Sequence, residues 1–367
     1  GMGGSILGAE AAHFFLKQKI KNKIFFLDNL SKDETNKIKK INNSKKVLFL
    51  IISKSGNTLE TIVNSNIYIK KTDKNILITD QKDNQLRLMA KKLKAEIIDH
   101  NNYIGGRYSV LSEVGMVPAE LMGLNEKKFK QFNNLIKNKS FFNSIISNVN
   151  NILALIKKKK FNSVILNYDE TADNFLRWYQ QLVAESLGKK GSGIFPIIST
   201  MPKDNHSLMQ LYLDGQKDKF YTFFHTPSKF SPKIKSKIIP ESQKFLKYKD
   251  LNSIKISQIL ATQKVFKKKN IPFRSFSINN RSEETLGELF SFFIFETILL
   301  AKALNNKFKI ILVSFICAGP QMNLASGISL FFFRYSTRRM SRWIVSLCAC
   351  VCKNKCSWSP SVPCSWP

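Results

Sequence analysis

Hydroxyl and glycine residues cluster directly after the apolar run Val47–Ile52, in the segment Ser53-Lys54-Ser55-Gly56-Asn57-Thr58. A strand that ends in such a turn before a helix offers free backbone N–H groups, hydroxyl donors and the positive end of a helix dipole, and all three suit a phosphate monoester. An ordinary helix N-cap would explain Thr58, but it would not explain three hydroxyls around a glycine. The segment therefore predicts a phosphate site. The opening run Gly1–Ser5 is a second glycine turn, which would let a ligand approach the backbone closely.

Three further residues stand where proton transfer could be supported. Arg107 follows two glycines and could stabilise an oxyanion, since a guanidinium is always charged and offers a fixed fork of donors. Glu185 lies near the end of a predicted helix, from which a carboxylate can project into a cleft. His206 precedes another predicted helix, whose N-terminus favours a neutral imidazole. Taken singly, each has an ordinary alternative: a surface ion pair, a surface glutamate and a capping residue.

Short apolar runs alternate with helical stretches up to residue 306, a pattern typical of parallel α/β units. The predicted strands are Lys23–Leu30, Lys46–Ile52, Asn75–Asp80 and Glu96–His100 in a first sheet, and Phe161–Asn167, Gly193–Ser199, Lys219–His225 and Pro272–Ile278 in a second. The predicted helices are Thr58–Lys71, Gln85–Lys94, 126–160, Asp173–Leu187, Ser207–Asp214, Ile256–Lys268 and Ser282–Leu304. We therefore expect an α/β fold with two tandem αβα sandwich domains and mainly parallel sheets.

The composition is that of a globular chain, with 43% hydrophobic and 23% charged residues. A formal charge of +32 would usually suggest nucleic acid or an anionic membrane as a partner. Here the lysines are spread along the chain and no base-stacking aromatics are interleaved with them, so solvated helix faces are the better interpretation. The positive field would still attract a phosphorylated substrate. No signal peptide opens the chain, so we expect a cytoplasmic location.

The composition changes abruptly near the end of the chain. All six cysteines lie between Cys317 and Cys364, and no Asp or Glu occurs from Lys307 to Pro367. A small metal or disulfide module, a membrane tail over Ile310–Phe333 and an out-of-frame or fused translation could each explain the change. The cysteine spacing fits no common zinc pattern, and polar residues interrupt the apolar stretch. We therefore predict domains at 1–125 and 126–306, followed by a non-native or disordered tail at 307–367.

Taken together, the motifs resemble the glucose-6-phosphate isomerase family, whose members consist of two sugar-isomerase (SIS) domains. The matching stretches occur in the family's order: Gly1–Gly8, Ser53–Thr61, Gly105–Gly115, Gln181–Gly193 and Asp204–Gly215. The resemblance covers residues 1 to about 306. Five motifs in order are far more specific than any one of them, so the resemblance outweighs the ordinary alternatives for Arg107, Glu185 and His206.

The resemblance implies an isomerase of glucose 6-phosphate and fructose 6-phosphate, in glycolysis and gluconeogenesis, that needs neither a metal nor an organic cofactor. By the same resemblance, Glu185 is the general base of a cis-enediolate mechanism, Arg107 stabilises the intermediate and His206 assists ring opening. The implied substrate-binding residues are Gly4, Ser5, Ser53, Lys54, Ser55, Thr58 and Gln181. The resemblance also implies a homodimer with shared active sites, in which the partner subunit donates His206.

The sequence departs from the family in two places. Family members normally have a strand before the opening glycine motif, and their last helix carries a lysine in a stretch such as QPAVExxK or VELGK. After Leu304-Asn305 the sequence does not continue towards such a stretch. We therefore expect a chain that is truncated at its start and ends in an unrelated tail. The alternative function is a sugar-phosphate-binding protein of the same fold with impaired catalysis.

Overall fold

The structure is a computed structural model that describes residues 1–31, 47–227, 231–235, 238–304 and the strand 364–365. The strands are β1 Leu48–Ile52, β2 Lys74–Asp80, β3 Glu96–His100, β4 Asn162–Asn167, β5 Phe195–Thr200, β6 Lys219–His225, β7 Phe273–Ser277 and β8 Cys364–Ser365. The helices are α1 Leu7–Phe15, α2 Leu59–Tyr68, α3 Gln85–Leu93, α4 Glu113–Leu121, α5 Glu126–Phe129, α6 Phe132–Ile136, α7 Lys139–Lys157, α8 Asp173–Leu187, α9 Met209–Asp214, α10 Leu251–Lys268 and α11 Glu283–Ala303.

The strands form two sheets, and all pairs but one are parallel. The first sheet has the order β1-β2-β3, and the second has the order β5-β4-β6-β7, with β8 antiparallel to β7 at its edge. In the first sheet Ile51 lies opposite Leu77, which in turn lies opposite Ile97. Because parallel strands end at the same edge of a sheet, the loops that follow β1, β2 and β3 lie side by side. The expected α/β fold with mainly parallel sheets is confirmed.

Seven of the eight predicted strands are present, with ends displaced by at most two residues. The prediction of a strand over Lys23–Leu30 is wrong, because this segment is irregular and no strand of the described residues pairs with it. An apolar run becomes a strand only where a neighbour completes its ladder of hydrogen bonds. The helical stretch 126–160 is divided into α5, α6 and α7, the last of which begins where the Asn138 side chain caps the N–H groups of Ser140 and Phe141.

The largest hydrophobic core connects helices of the first half of the chain, before and after the first sheet, with elements of the second sheet. Phe15 of α1 packs against Phe175 of α8, with 6.4 Å between ring centroids, and Trp178 packs edge-on against Phe290 of α11 at 4.7 Å. Each fully buried large apolar side chain stabilises the fold by about 1.5–3 kcal/mol. This core fixes α8, which carries Gln181 and Glu185, against the start of the chain. The domain boundary at 125/126 stays a prediction.

A buried ion pair crosses the second half of the molecule. Arg274 of β7 donates to both carboxylate oxygens of Glu296 on α11, at 2.5 and 3.2 Å, and both side chains are almost fully buried. Thr222 and Asn148 accept further hydrogen bonds from the guanidinium. A pair this far from water is stable only when its hydrogen bonds are satisfied on all sides.

None of the described helices is long and apolar enough to cross a membrane. The predicted tail at 307–367 lies outside the described residues, except for β8.

Replacing Glu296 with leucine leaves the Arg274 guanidinium buried without its counter-charge, so we expect the free energy of unfolding to fall by about 3–5 kcal/mol. Adding Arg274→Met removes the second charge and should recover most of that loss. Urea unfolding measures both changes. As a control, Asp214→Ala removes an exposed partner of Lys269 and should cost less than about 1 kcal/mol. A double variant less stable than Glu296→Leu would contradict this expectation.

Candidate active site

The segment Ser53–Thr58 forms a tight turn between β1 and α2. Ser53 is buried, and its hydroxyl lies 2.8 Å from the hydroxyl of Thr58. Gly56 has φ +65°, and a Cβ at this position would lie 2.0 Å from the side-chain oxygen of Asn84. Only glycine therefore fits there. The turn places its hydroxyls at the N-terminus of α2, which is the arrangement expected of an anion site.

Lys54 connects this turn to the loop that follows β3. Its ammonium donates to the carbonyl oxygen of Ile104 at 2.6 Å and to that of Asn102 at 3.1 Å. Burial lowers the pKa of Lys54 below its usual value. The side chain therefore holds the turn Ser53–Thr58 beside the loop that leads to Gly105 and Arg107.

Arg107 and Glu185 lie close together although they are far apart in the sequence. Arg107 follows β3 of the first sheet, and Glu185 lies on α8, between two strands of the second sheet. The Nη1 of Arg107 lies 3.4 Å from Oε2 of Glu185, and its Nε donates to the hydroxyl of Ser186 at 2.8 Å. Gln181, one helical turn before Glu185, donates from Nε2 to Oε1 of Glu185 at 2.7 Å. The Glu185 side chain is 49% exposed and the Arg107 side chain 20% exposed. A carboxyl group and a guanidinium thus share one solvent-accessible position.

The opening turn Gly1–Ser5 lies against all of these elements. A Cβ on Gly4 would lie 2.2 Å from the carbonyl oxygen of Gly106, and a Cβ on Gly3, whose φ is +52°, would lie 2.7 Å from Nε2 of Gln181. A Cβ on Gly1 would lie 3.1 Å from the carbonyl oxygen of Ile52, directly before the Ser53 turn. The structure therefore brings the predicted residue Gly4 next to the Arg107 loop, while Gly1 and Gly3 of the same turn approach the end of β1 and Gln181.

His206 is the predicted catalytic residue that is not joined to the others by a hydrogen bond or ion pair in the described part of the chain. It is exposed and follows the short turn Lys203–Asn205 after the edge strand β5. The preceding Asp204 fixes this turn by accepting from the Thr200 N–H at 2.8 Å and from the Ser199 hydroxyl at 2.8 Å. Burial raises the pKa of Asp204, but these hydrogen bonds outweigh it and the pKa lies below its usual value. Within the described part of one chain, His206 makes no hydrogen bond or ion pair with Arg107 or Glu185.

A cavity of about 450 Å³ adjoins the cluster at Gln181. It is lined by Leu7, Glu10, Asp28, Asn174, Arg177, Gln180, Gln181 and Ala184. Glu10 is buried, and burial together with the nearby Asp28 carboxylate raises its pKa to about 7. Among the described residues no group of three or more His, Cys, Asp and Glu side chains is arranged to hold a metal ion.

Sequence reasoning missed the residues that support Arg107. The hydroxyl of Tyr108 lies 2.6 Å from that of Ser186, and both side chains are buried. Each stands next to a predicted site residue in the sequence. Nothing in the sequence indicates that residues 107–108 and 185–186 meet, because this contact depends on how two distant elements pack.

Comparison with known proteins places the chain among sugar-phosphate isomerases. Residues 1–264 match the family described as phosphoglucose isomerase. The chain is 32% identical over 306 residues to the glucose-6-phosphate isomerase of Methanocaldococcus jannaschii, an alignment that covers 79% of this chain and 74% of that protein. It is also 32% identical over 279 residues to the glucose-6-phosphate isomerase of Campylobacter jejuni, covering 72% of this chain and 67% of that protein.

Two solved structures have the same fold. A hypothetical protein from Thermus thermophilus aligns with a TM-score of 0.72 at 22% identity, over 86% of this chain and 81% of that chain. A glucose-6-phosphate isomerase from Chlamydia trachomatis aligns with a TM-score of 0.61 at 18% identity, over 87% of this chain and 70% of that chain.

The raised pKa of Glu10 predicts a pH-dependent stability. The folded chain holds the Glu10 proton up to a pKa of about 7, whereas the unfolded chain releases it near the ordinary glutamate pKa of 4.5. Ionisation therefore destabilises the fold as pH rises through that window. Glu10→Gln should therefore be more stable than the wild type by about 1–3 kcal/mol at pH 8 and equally stable near pH 4. Urea unfolding at both pH values measures this difference. The exposed Glu120→Gln is the control, and an equal effect of Glu10→Gln at both pH values would count against this assignment.

Proposed function

Because the chain belongs to the phosphoglucose isomerase family and is an isomerase, we propose that it interconverts glucose 6-phosphate and fructose 6-phosphate. The relatives named glucose-6-phosphate isomerase support this choice of substrate. The observation that carries the proposal is the 3.4 Å approach of the Arg107 guanidinium to the Glu185 carboxylate beside a hydroxyl-rich turn. This interconversion belongs to glycolysis and gluconeogenesis.

The phosphate would be held by Ser53, Ser55 and Thr58, with backbone N–H groups near Lys54. These hydroxyls stand at the N-terminus of α2, where the helix dipole favours a dianion. The glycine turn containing Gly4 and Ser5 would lie along the sugar, because it presents backbone without bulky side chains. The phosphate group does not react, so the binding energy of these contacts serves to orient the reacting carbons.

Glu185 would act on the open-chain sugar as the general base. It removes the proton from C2 of glucose 6-phosphate, which gives a cis-enediolate, and returns a proton to C1 while the proton of the C2 hydroxyl passes to O1. The product is fructose 6-phosphate, so atoms and charge balance. Arg107 would stabilise the negative charge on the enediolate oxygens, and the hydrogen bond from Gln181 would hold the Glu185 carboxylate in position.

His206 would assist ring opening from a second copy of the chain. Its exposure on the turn after the edge strand β5, without a hydrogen bond to Glu185 in the described part of one chain, supports a site completed by a partner. A symmetric dimer would then contain two sites, each built from both subunits.

Removing the base should abolish turnover. We expect Glu185→Gln to lower kcat by about 10²–10⁴-fold, because an amide cannot accept the C2 proton. Formation of glucose 6-phosphate from fructose 6-phosphate, coupled to glucose-6-phosphate dehydrogenase, measures the rate. Glu170→Gln, an exposed glutamate just before α8, is the matched control and should keep wild-type kcat. Wild-type kcat in Glu185→Gln would refute the role of Glu185. Binding of fructose 6-phosphate without turnover by the wild type would instead indicate the alternative, a binding protein with impaired catalysis.

Mixing two inactive variants tests the shared site. Glu185→Gln and His206→Ala subunits that exchange freely form heterodimers in which one of the two sites has both native residues. We expect activity to rise to about a quarter of the wild-type value, since half of the dimers are mixed and half of their sites are intact. The same coupled assay, before and after mixing, measures the gain. Activity that stays at the level of the separate variants would show that each site belongs to one chain.

A further inference from the structure

His100 lies at the base of the loop that carries Arg107, and the mechanism above does not use it. It is the last residue of β3, and its side chain is fully buried. The ring nitrogen Nδ1 contacts Oε1 of Glu113, the first residue of α4. The other ring nitrogen, Nε2, lies 3.2 Å from the carbonyl oxygen of Ile104. The imidazole therefore bridges the end of a strand, the start of a helix and the loop between them.

Both oxygens that His100 faces can only accept hydrogen bonds. In either neutral tautomer the imidazole donates to one of these oxygens and lies against the other. Burial raises the pKa of Glu113, but hydrogen bonds from His100 and from the backbone outweigh it, and the pKa lies below its usual value. The carboxylate therefore favours its charged form beside His100.

The carbonyl oxygen of Ile104 receives a second hydrogen bond, from the ammonium of Lys54 at 2.6 Å. One backbone oxygen thus joins the end of β3 to the turn Ser53–Thr58. Ile104 stands three residues before Arg107, and two glycines separate them. Because glycines leave the backbone free to adopt many conformations, the position of Arg107 depends on how firmly the chain is held on either side of them.

We propose that His100, paired with Glu113, is a positioning residue that fixes the Arg107 loop relative to the phosphate turn. The inference rests on the proposed function, in which Arg107 must be aligned with Glu185. It attributes this alignment to the pair His100–Glu113. His100 itself touches no reacting atom. On the other side of the glycines, Arg107 is held by Ser186, so the guanidinium is fixed from both ends.

Two ligands distinguish an effect on the position of Arg107 from an effect on phosphate binding. 6-Phosphogluconate carries a carboxylate at carbon 1, where negative charge develops in the reaction, whereas sorbitol 6-phosphate has only hydroxyls there. His100→Gln should weaken binding of 6-phosphogluconate about ten-fold, because an aligned guanidinium contributes most to a charged partner. Binding of sorbitol 6-phosphate should change less than about two-fold. Isothermal titration measures both affinities. An equal loss for the two ligands would indicate a general structural defect and overturn the proposal.

Rescue by the conservative variant adds a second readout. Glu113→Ala removes the acceptor for Nδ1 and should reproduce the selective loss, while Glu113→Gln keeps an oxygen there and should restore most of it. In the coupled assay, kcat should fall about ten-fold in His100→Gln with KM within about two-fold. His225→Gln is the matched control, since His225 is also the last residue of a parallel strand but lies in the second sheet. Equal behaviour of His100→Gln and His225→Gln would overturn the proposal.

The failure of this inference can be told apart from the failure of the proposed function. If the wild type converts substrate and Glu185→Gln does not, while His100→Gln keeps full kcat, only this inference fails. If the wild type and Glu185→Gln have the same kcat, the proposed function fails.

Discussion

The guanidinium of Arg107 reaches from a loop of the first sheet to the last turn of α8, and the candidate site depends on this contact. Its hydrogen bond to Ser186 at 2.8 Å and its approach to Glu185 at 3.4 Å connect the two halves of the molecule. A partly exposed ion pair contributes at most about 1 kcal/mol to stability. The contact is therefore fixed by its surroundings: the buried Tyr108 hydroxyl on Ser186, and the aromatic core that holds α8.

Glycine makes the close approach of these elements possible. The Gly3–Gly4 backbone fits between Gln181 and the Gly106 peptide with no room for a Cβ at either position. In the proposed function, backbone N–H groups, the hydroxyl turn and the Arg107–Glu185 pair would surround one small ligand. Two glycines also precede Arg107, so the position of its loop depends on neighbouring contacts. Under the proposal above, the contacts of His100 and Lys54 supply this anchoring.

The sequence predicted the elements well because apolar runs and helix caps are local signals. Seven of the eight predicted strands are present. The prediction for Lys23–Leu30 was wrong because a strand also needs a pairing partner, which the local sequence does not specify. Roles for Arg107, Glu185 and His206 came from the resemblance, since each residue alone had an ordinary explanation. The pairs His100–Glu113 and Arg274–Glu296 could not be predicted, because their partners lie 13 and 22 residues apart in the sequence and meet only after the elements pack.

The central claim is that Glu185 moves a proton on a sugar held beside Arg107. Isomerisation of fructose 6-phosphate in D₂O, followed by NMR of the glucose 6-phosphate formed, tests it most directly. We expect deuterium at C2 of the product with the wild-type protein, because the carboxyl proton exchanges with solvent before it is returned. With Glu185→Gln we expect neither exchange nor product. Product that contains no deuterium, or exchange that persists in Glu185→Gln, would contradict it.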